Sequence, residues 1–157
     1  MCIGRLKNRC PSCQPLLIAK LEKYVFKFHK ISNDGSGKGN VFFTNKDEDA
    51  VWGIVFLIAN NDEKNLDKAE GKGEGYHDEM IDVKDKQNNI YQVKIYKADS
   101  DSIDEKLKPY SWYKRFVIEG AKYNGLPGDY IKIIDQFESI EDTDKIRENK
   151  NLIIQCK

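Results

Sequence analysis

Ala50-Val51-Trp52-Gly53-Ile54-Val55-Phe56-Leu57-Ile58 is the stretch whose reading decides the fold. Apart from Gly53 it is apolar at every position, and it is built from β-branched and aromatic residues rather than strong helix formers. A strand with one wet face would show a polar residue at every second position. One that is apolar on both faces belongs at the centre of a sheet or barrel. Directly after it the pattern changes. Asn60, Asn61 or Asp62 can cap a short helix on which Leu66 and Ala69 lie three apart on one apolar side. Asp62 and Glu63 sit in its first turn, where the positive end of the helix dipole favours them. Glu70 ends the helix, because Gly71-Lys72-Gly73-Glu74-Gly75 places three glycines in five residues, a C-cap followed by a sharp backbone turn.

Working outward, strands predominate. Residues 16–31 read as one strand, with Tyr24, Phe26 and Phe28 alternating with Val25, Lys27 and His29. Residues 33–39 (NDGSGKG) follow as a solvated turn, whose Gly-Lys lacks both the phosphate-loop spacing and the Ser or Thr that should follow it. Val41-Phe42-Phe43-Thr44 is a short strand. Beyond the glycine turn, Tyr76–Lys84 and residues 90–97 read as two strands around a turn at residues 86–89, and residues 100–109 as a polar loop. Ser111 caps a helix running to about Tyr123, closed by Asn124-Gly125. Pro127 opens another at its first position, with Ile131, Ile134 and Phe137 on one face. Residues 142–151 read as charged surface, and Leu152-Ile153-Ile154 as a returning final strand. The order specifies an α+β class with a sheet or barrel core, in one domain spanning residues 1–157.

Composition narrows the function classes. A chain of 157 residues buries roughly 70% of its unfolded surface, so a core forms without metals or a disulfide scaffold. Lys and Arg number 26 and Asp and Glu 26, so no bulk field draws the chain to nucleic acid or to an anionic membrane. No apolar run is long enough to span a bilayer, and the first residues hold Arg5, Lys7 and Arg9 without an apolar stretch. The expected setting is therefore cytoplasmic. Cys2, Cys10, Cys13 and Cys156 are few for a disulfide scaffold and read as plain structural thiols of a reducing compartment. Cys10-Pro11-Ser12-Cys13 has no second pair to complete a zinc site and no preceding strand to make it a redox motif. No metal or cofactor is expected.

Two histidines, neither near a plausible nucleophile, do not make a triad hydrolase, and His29 reads as a surface or sheet-edge residue. Among the many carboxylates Glu70 has a distinctive setting. It lies at the negative end of a helix dipole, beside a glycine turn whose amides can approach a ligand. That position, with burial against Tyr76, is expected to raise its pKa toward the range useful for proton transfer.

Val51-Trp52-Gly53-Ile54-Val55-Phe56, Leu66-Asp67-Lys68-Ala69-Glu70-Gly71 and Gly75-Tyr76 resemble the central signature of the γ-glutamylcyclotransferase family. Tyr113-Lys114-Arg115 and Gly120-Ala121-Lys122-Tyr123-Asn124-Gly125-Leu126-Pro127 resemble its C-terminal helix pair. Arg5-Leu6-Lys7-Asn8-Arg9-Cys10-Pro11-Ser12 resembles the segment after its first loop. The matches run in order over nearly the whole chain. The resemblance implies a small mixed β-barrel flanked by helices. It also implies metal-free, cofactor-free cyclisation of a small-molecule γ-glutamyl substrate to 5-oxoproline, with release of an amino acid or amine. It makes Glu70 the catalytic base and acid, and Tyr76 and Tyr113 pocket tyrosines, one walling the site and one donating a hydrogen bond. Gly75 keeps that wall close to the ligand. Homodimers occur among such relatives.

The resemblance also carries a departure. The family opens with a strand ending in Tyr-Gly-Ser-Asn, whose amides hold the substrate. This chain begins Met1-Cys2-Ile3-Gly4 where that motif would just have ended, with Met1 matching the residue after its Asn. The expectation is a missing first strand and an open sheet edge. Lys72 stands where family members commonly carry an apolar residue, so it either alters acceptor preference or faces solvent. A second reading follows from the departure: a non-catalytic ligand-binding or interaction domain of the same fold that has lost its substrate-binding loop. No residue decides whether the acceptor is an α-amino acid or an amine.

Overall fold

The structure is a computed structural model that describes residues 2–156. The run read as a single strand is two. Strand β1 (Gln14–Glu22) pairs antiparallel with β4 (Ala50–Leu57), from Gln14 opposite Leu57 to Glu22 opposite Ala50. Strand β2 (Tyr24–Ile31) pairs instead with β3 (Gly37–Phe43). Lys23 makes the change of partner. Its φ is 66°, its N–H donates to the Asp49 carbonyl at 2.7 Å, and its carbonyl accepts from the Thr44 N–H at 2.9 Å. Apolar residues continue on either side of it, Ala19 and Leu21 before and Tyr24, Phe26 and Phe28 after, and their change of phase across Glu22-Lys23 is the one trace of the bend in the sequence.

Strands β5 (Tyr76–Lys84) and β6 (Ile90–Ala98) form the expected hairpin. The Asp85 carboxylate accepts from the Gln87 and Asn89 N–H groups and closes the turn. The first sheet runs β4-β1-β5-β6, and β2-β3 is a separate ribbon. Among the described residues β1 and β5 meet at one rung, Lys20 opposite Lys84. The α+β class stands, but the expected barrel is not closed. With a single rung between β1 and β5, and β2 and β3 pairing as strands only with each other, the strands form two sheets. Nor is β4 central; it is an edge strand. Its apolar residues on both faces reflect burial, since Val51 and Val55 on one face and Trp52 and Ile54 on the other all join the main core.

A buried polar chain fastens the ribbon to the first sheet. Asn40 accepts from the Ala98 N–H at 3.0 Å, so its amide nitrogen faces His29 Nε2 at 2.9 Å. Nε2 is therefore an acceptor, and Nδ1–H donates to Glu105 at 2.9 Å. The expected surface histidine is only 2% exposed. It is buried because the ring has partners at both nitrogens.

The helices cover the core. Helix α1 (Ile3–Lys7) and helix α2 (Asn60–Glu70) flank one side, and α3 (Ser111–Tyr123) and α4 (Gly128–Asp135) pack Ala121, Leu126, Tyr130 and Ile134 into the main cluster. Ile131 and Phe137 pack against that cluster as well. Tyr110 and Pro127 are the N-cap residues, so Ser111 and Gly128 are the first helical positions. The final strand expected at residues 152–154 is not there. Asp144 accepts from the Ile146 and Arg147 N–H groups and starts a helix, α5 (Lys145–Leu152), that uses up Leu152. Asp142, read as surface, is fully buried among Arg147, the Trp112 indole at 2.9 Å and the Asp144 N–H.

The cysteines divide into two pairs. Cys2 and Cys156 are joined in a disulfide that ties the start of α1 to the end of the chain, against the expectation of four plain thiols. Cys10 and Cys13 are free and buried with Leu6 and Leu66, as structural cysteines should be. Among the described residues no helix is long and apolar enough to cross a membrane, and no cluster of His, Cys, Asp or Glu is placed to hold a metal ion.

Two carboxylates couple this fold to pH. The Tyr96 hydroxyl and the Lys94 ammonium hold Asp67 down to about 2, and Arg147, with the Trp112 indole, holds Asp142 well below the usual carboxylate range. Because both folded values are depressed, their stabilisation is complete above the unfolded value of about 4 and is lost as pH falls through the folded ones. Urea midpoints should therefore fall steeply as pH drops from about 4 to about 2. Asp67→Asn and Asp142→Asn should lower the midpoint at pH 7 and flatten that fall.

Candidate active site

Helix α2 presents Glu70, and the segment ahead of β1 fixes where α2 starts. Its N-cap is Ala59, not one of the residues 60–62. The Ser12 hydroxyl accepts from the Ala59 N–H at 3.0 Å, while Asp62 accepts from the Ser12 N–H at 2.9 Å. The start of the helix is thus pinned by two reciprocal bonds to the Cys10-Pro11-Ser12-Cys13 turn. Leu66, against Leu6, Cys10 and Cys13, anchors its middle. At the other end Gly71 is left-handed (φ 71°), and the Lys72 N–H returns to the Asp67 carbonyl at 2.9 Å. Glu70 is consequently the last helical residue, as the glycines predicted.

Glu70, Tyr76 and Tyr113 line one cavity of about 430 Å³, within the roughly 300–1,000 Å³ usual for small-molecule sites. Gly75 adjoins it, and Met1 lies outside the described residues. The tyrosines grip opposite sides of a single residue on β3. Tyr76 Oη donates to the Gly39 carbonyl at 2.9 Å, and the Gly39 N–H donates to Tyr113 Oη at 3.2 Å. The Tyr76 proton is therefore committed, while the Tyr113 proton is free to go to a ligand. Burial pushes both phenols up, and Glu70 adds to the effect, so each stays protonated across the physiological range.

Sequence reasoning missed the cavity's cations. Arg9 reaches Glu70, Nη1 to Oε1 at 2.8 Å. Arg5 lays its guanidinium against the rings of Trp112, Tyr113 and Phe116, with Cζ 5.2–5.8 Å from the centroids, and its buried Nη1 has no hydrogen-bond partner. Burial, with Arg9 nearby, pulls its pKa down. Lys38 comes from the loop read as solvated. Its ammonium pairs with Asp34 at 2.6 Å and sits 4.8 Å from the Tyr113 ring centroid. Arg5 lies on α1 and Arg9 beyond its end, so their four-residue spacing is not a shared helical face and no local pattern marked them. Nothing local marked Lys38 or Lys30. Lys72 is not a lining residue; it bonds Asp78 at 2.9 Å in a charge cluster with Asp67 and Lys94.

Residues 50–143 match the AIG2-like family, over more than half of the chain. The chain belongs to the AIG2-like family. It is also a distant homologue of γ-glutamylcyclotransferases. The Bos taurus γ-glutamylcyclotransferase is 27% identical over 157 aligned residues, covering 96% of this chain and 81% of that protein. The Homo sapiens γ-glutamylcyclotransferase is 26% identical with the same coverage. A solved structure of a γ-glutamyl cyclotransferase superposes with a TM-score of 0.82 at 23% identity, over 94% of this chain and 90% of that one. YkqA of Bacillus subtilis gives 0.69 at 14% identity, over 88% and 50%. At these identities the structural likeness speaks for the fold. The AIG2-like match contains Glu70, Tyr76 and Tyr113, whereas Arg5, Arg9, Lys30 and Lys38 precede it.

Gly75 has a steric role that any side chain would upset. Its φ is 96°, and a Cβ there would stand 2.6 Å from Ser102 Oγ and 2.9 Å from Lys30 Nζ. Gly75→Ala should therefore cost about 1–3 kcal/mol in urea unfolding. An unchanged midpoint would show that this turn relaxes freely.

Proposed function

We propose that this protein is a γ-glutamylcyclotransferase-type enzyme that cyclises a γ-glutamyl compound to 5-oxoproline. The observation that carries the reading is the pairing, on one cavity, of a carboxylate able to carry a proton, Glu70, with a phenol whose proton is uncommitted, Tyr113. Homology to enzymes of that name supports it.

The chemistry asks little beyond folding the substrate and moving protons from one nitrogen to the other, because nucleophile and electrophile share a molecule. Glu70 takes a proton from the α-ammonium. The freed amine attacks the γ-carbonyl carbon, closing a five-membered ring and placing negative charge on the carbonyl oxygen. Tyr113 donates a hydrogen bond to that oxygen. Glu70 then gives its proton to the leaving nitrogen, the old C–N bond breaks and the carbonyl re-forms, and the extra proton still on the ring nitrogen passes through Glu70 to the released amine, which departs as an ammonium. Arg9 positions the carboxylate between transfers. Arg5, half-buried with its Nη1 buried and short of an acceptor, receives the substrate's α-carboxylate, which shares a carbon with the amine that Glu70 deprotonates. Tyr76 walls the site and holds Gly39 in place.

The Arg9–Glu70 ion pair also favours one other reading, a binding domain whose carboxylate stays engaged and never turns over. Both are decided by incubating the protein with γ-glutamyl-alanine and with ε-(γ-glutamyl)-lysine and measuring 5-oxoproline. Release is expected. Glu70→Gln should lower turnover by about 100- to 10,000-fold, and Tyr113→Phe should lower kcat by about 100-fold with little change in KM. Ligand binding without 5-oxoproline would establish the binding domain, and full turnover by Glu70→Gln would remove Glu70 from the chemistry.

A further inference from the structure

The cavity carries more positive charge than it neutralises internally. Its acids are Asp34, Glu70 and Glu74, and its cations are Arg5, Arg9, Lys30, Lys38 and Lys68. Lys38 is paired with Asp34 and Arg9 with Glu70. Lys68 and Glu74 are exposed at the rim. That leaves Arg5 and Lys30 inside without a carboxylate. Lys30 is half-buried near the end of β2, a strand position and not a loop, and its ammonium donates only to main-chain carbonyls, Ile31 at 2.7 Å and Glu74 at 3.5 Å. It lies 5.0 Å from the centroid of the Tyr76 ring. The space it occupies exists because residue 75 has no side chain.

Two unpaired cations in one small cavity suit a ligand with two carboxylates. On the proposed chemistry, one is the α-carboxylate of the glutamyl group, held deep beside Glu70 by Arg5. The second then belongs to the leaving group, and the cation left for it is Lys30, across the Tyr76 wall. We propose that Lys30 is the specificity-determining residue for the leaving group. It receives the α-carboxylate of the departing amino acid and so selects γ-glutamyl α-amino acids over γ-glutamylamines. A γ-glutamylamine without that carboxylate gives Lys30 nothing to exchange for the water it sheds. The inference rests on the proposed cyclotransferase reading for the orientation of the substrate, although the charge surplus does not.

Alanine and ethylamine differ only by the carboxylate, so γ-glutamyl-alanine and γ-glutamyl-ethylamide form a matched pair. The ratio of their kcat/KM values should favour the alanine compound by about 10- to 100-fold, the range of a charge-assisted hydrogen bond. In Lys30→Met, which keeps the chain length and removes the charge, the ratio should fall toward one, mainly through KM for the alanine compound. Lys30→Arg should restore it. A ratio near one in the unaltered protein, or a ratio that survives Lys30→Met, overturns the proposal. If neither compound yields 5-oxoproline, the cyclotransferase reading has failed and calorimetry with the same two compounds judges Lys30 separately. A binding preference for γ-glutamyl-alanine that is lost in Lys30→Met upholds its role, while equal affinities, or no binding of either, dismiss it.

Discussion

The Gly39 peptide groups, clamped between two phenols, are the constraint from which the cavity takes its shape. Tyr76 begins β5, Tyr113 lies in the first turn of α3, and Gly39 belongs to the β2-β3 ribbon, so two hydrogen bonds tie three separately built pieces around one hollow. Only glycine permits it, because a Cβ at residue 39 would stand 2.9 Å from the Phe26 ring. The clamp also sorts the two phenols by chemistry. One is left with no proton to give and the other with a proton to spare, a distinction that identical side chains acquire purely from which main-chain group they face.

A second constraint is electrostatic. Arg5 and Lys38 are held where burial disfavours their charge, yet the fold keeps them there, Arg5 against aromatic faces and Lys38 against Asp34 and those same faces. A protein selected for stability alone would have little reason to leave a guanidinium nitrogen buried without an acceptor. Such an arrangement is understandable where the missing acceptor arrives with a ligand. The Cys2–Cys156 disulfide belongs to the same region, since Cys2 lines the cavity and begins the short helix that carries Arg5.

Much of this was legible in the residues. The helix that ends at Glu70, its left-handed glycine stop, the β5-β6 hairpin and the helix pair of α3 and α4 all follow from short-range signals: spacing, caps and turn residues act within a few positions of one another. The free, buried Cys10 and Cys13 likewise follow from the absence of partners for them. What escaped depends on which partner a segment finds. The run over residues 16–31 shifts its apolar phase at Glu22-Lys23, from Ala19 and Leu21 to Tyr24, Phe26 and Phe28, but no glycine, proline or asparagine marks Lys23 as the point where one sheet gives way to the next. Residues 51–55 are apolar on both faces because both pack against the core, a property that central and covered edge strands share.

By itself the sequence determined the α+β class, most of the elements, the family and the local setting of Glu70 as a helix-terminal carboxylate before a glycine turn. The tertiary structure alone decided that the strands form two sheets, that Leu152 ends a helix rather than opening a strand, that His29 and Asp142 are buried, and that five cations share the Glu70 cavity. The reason is one of range. Backbone propensity and capping are settled among neighbours in the chain, whereas Arg9 meets Glu70 across 61 positions and Gly39 meets Tyr113 across 74. Contacts of that separation exist only after the strands have chosen their partners, and no local pattern encodes the choice.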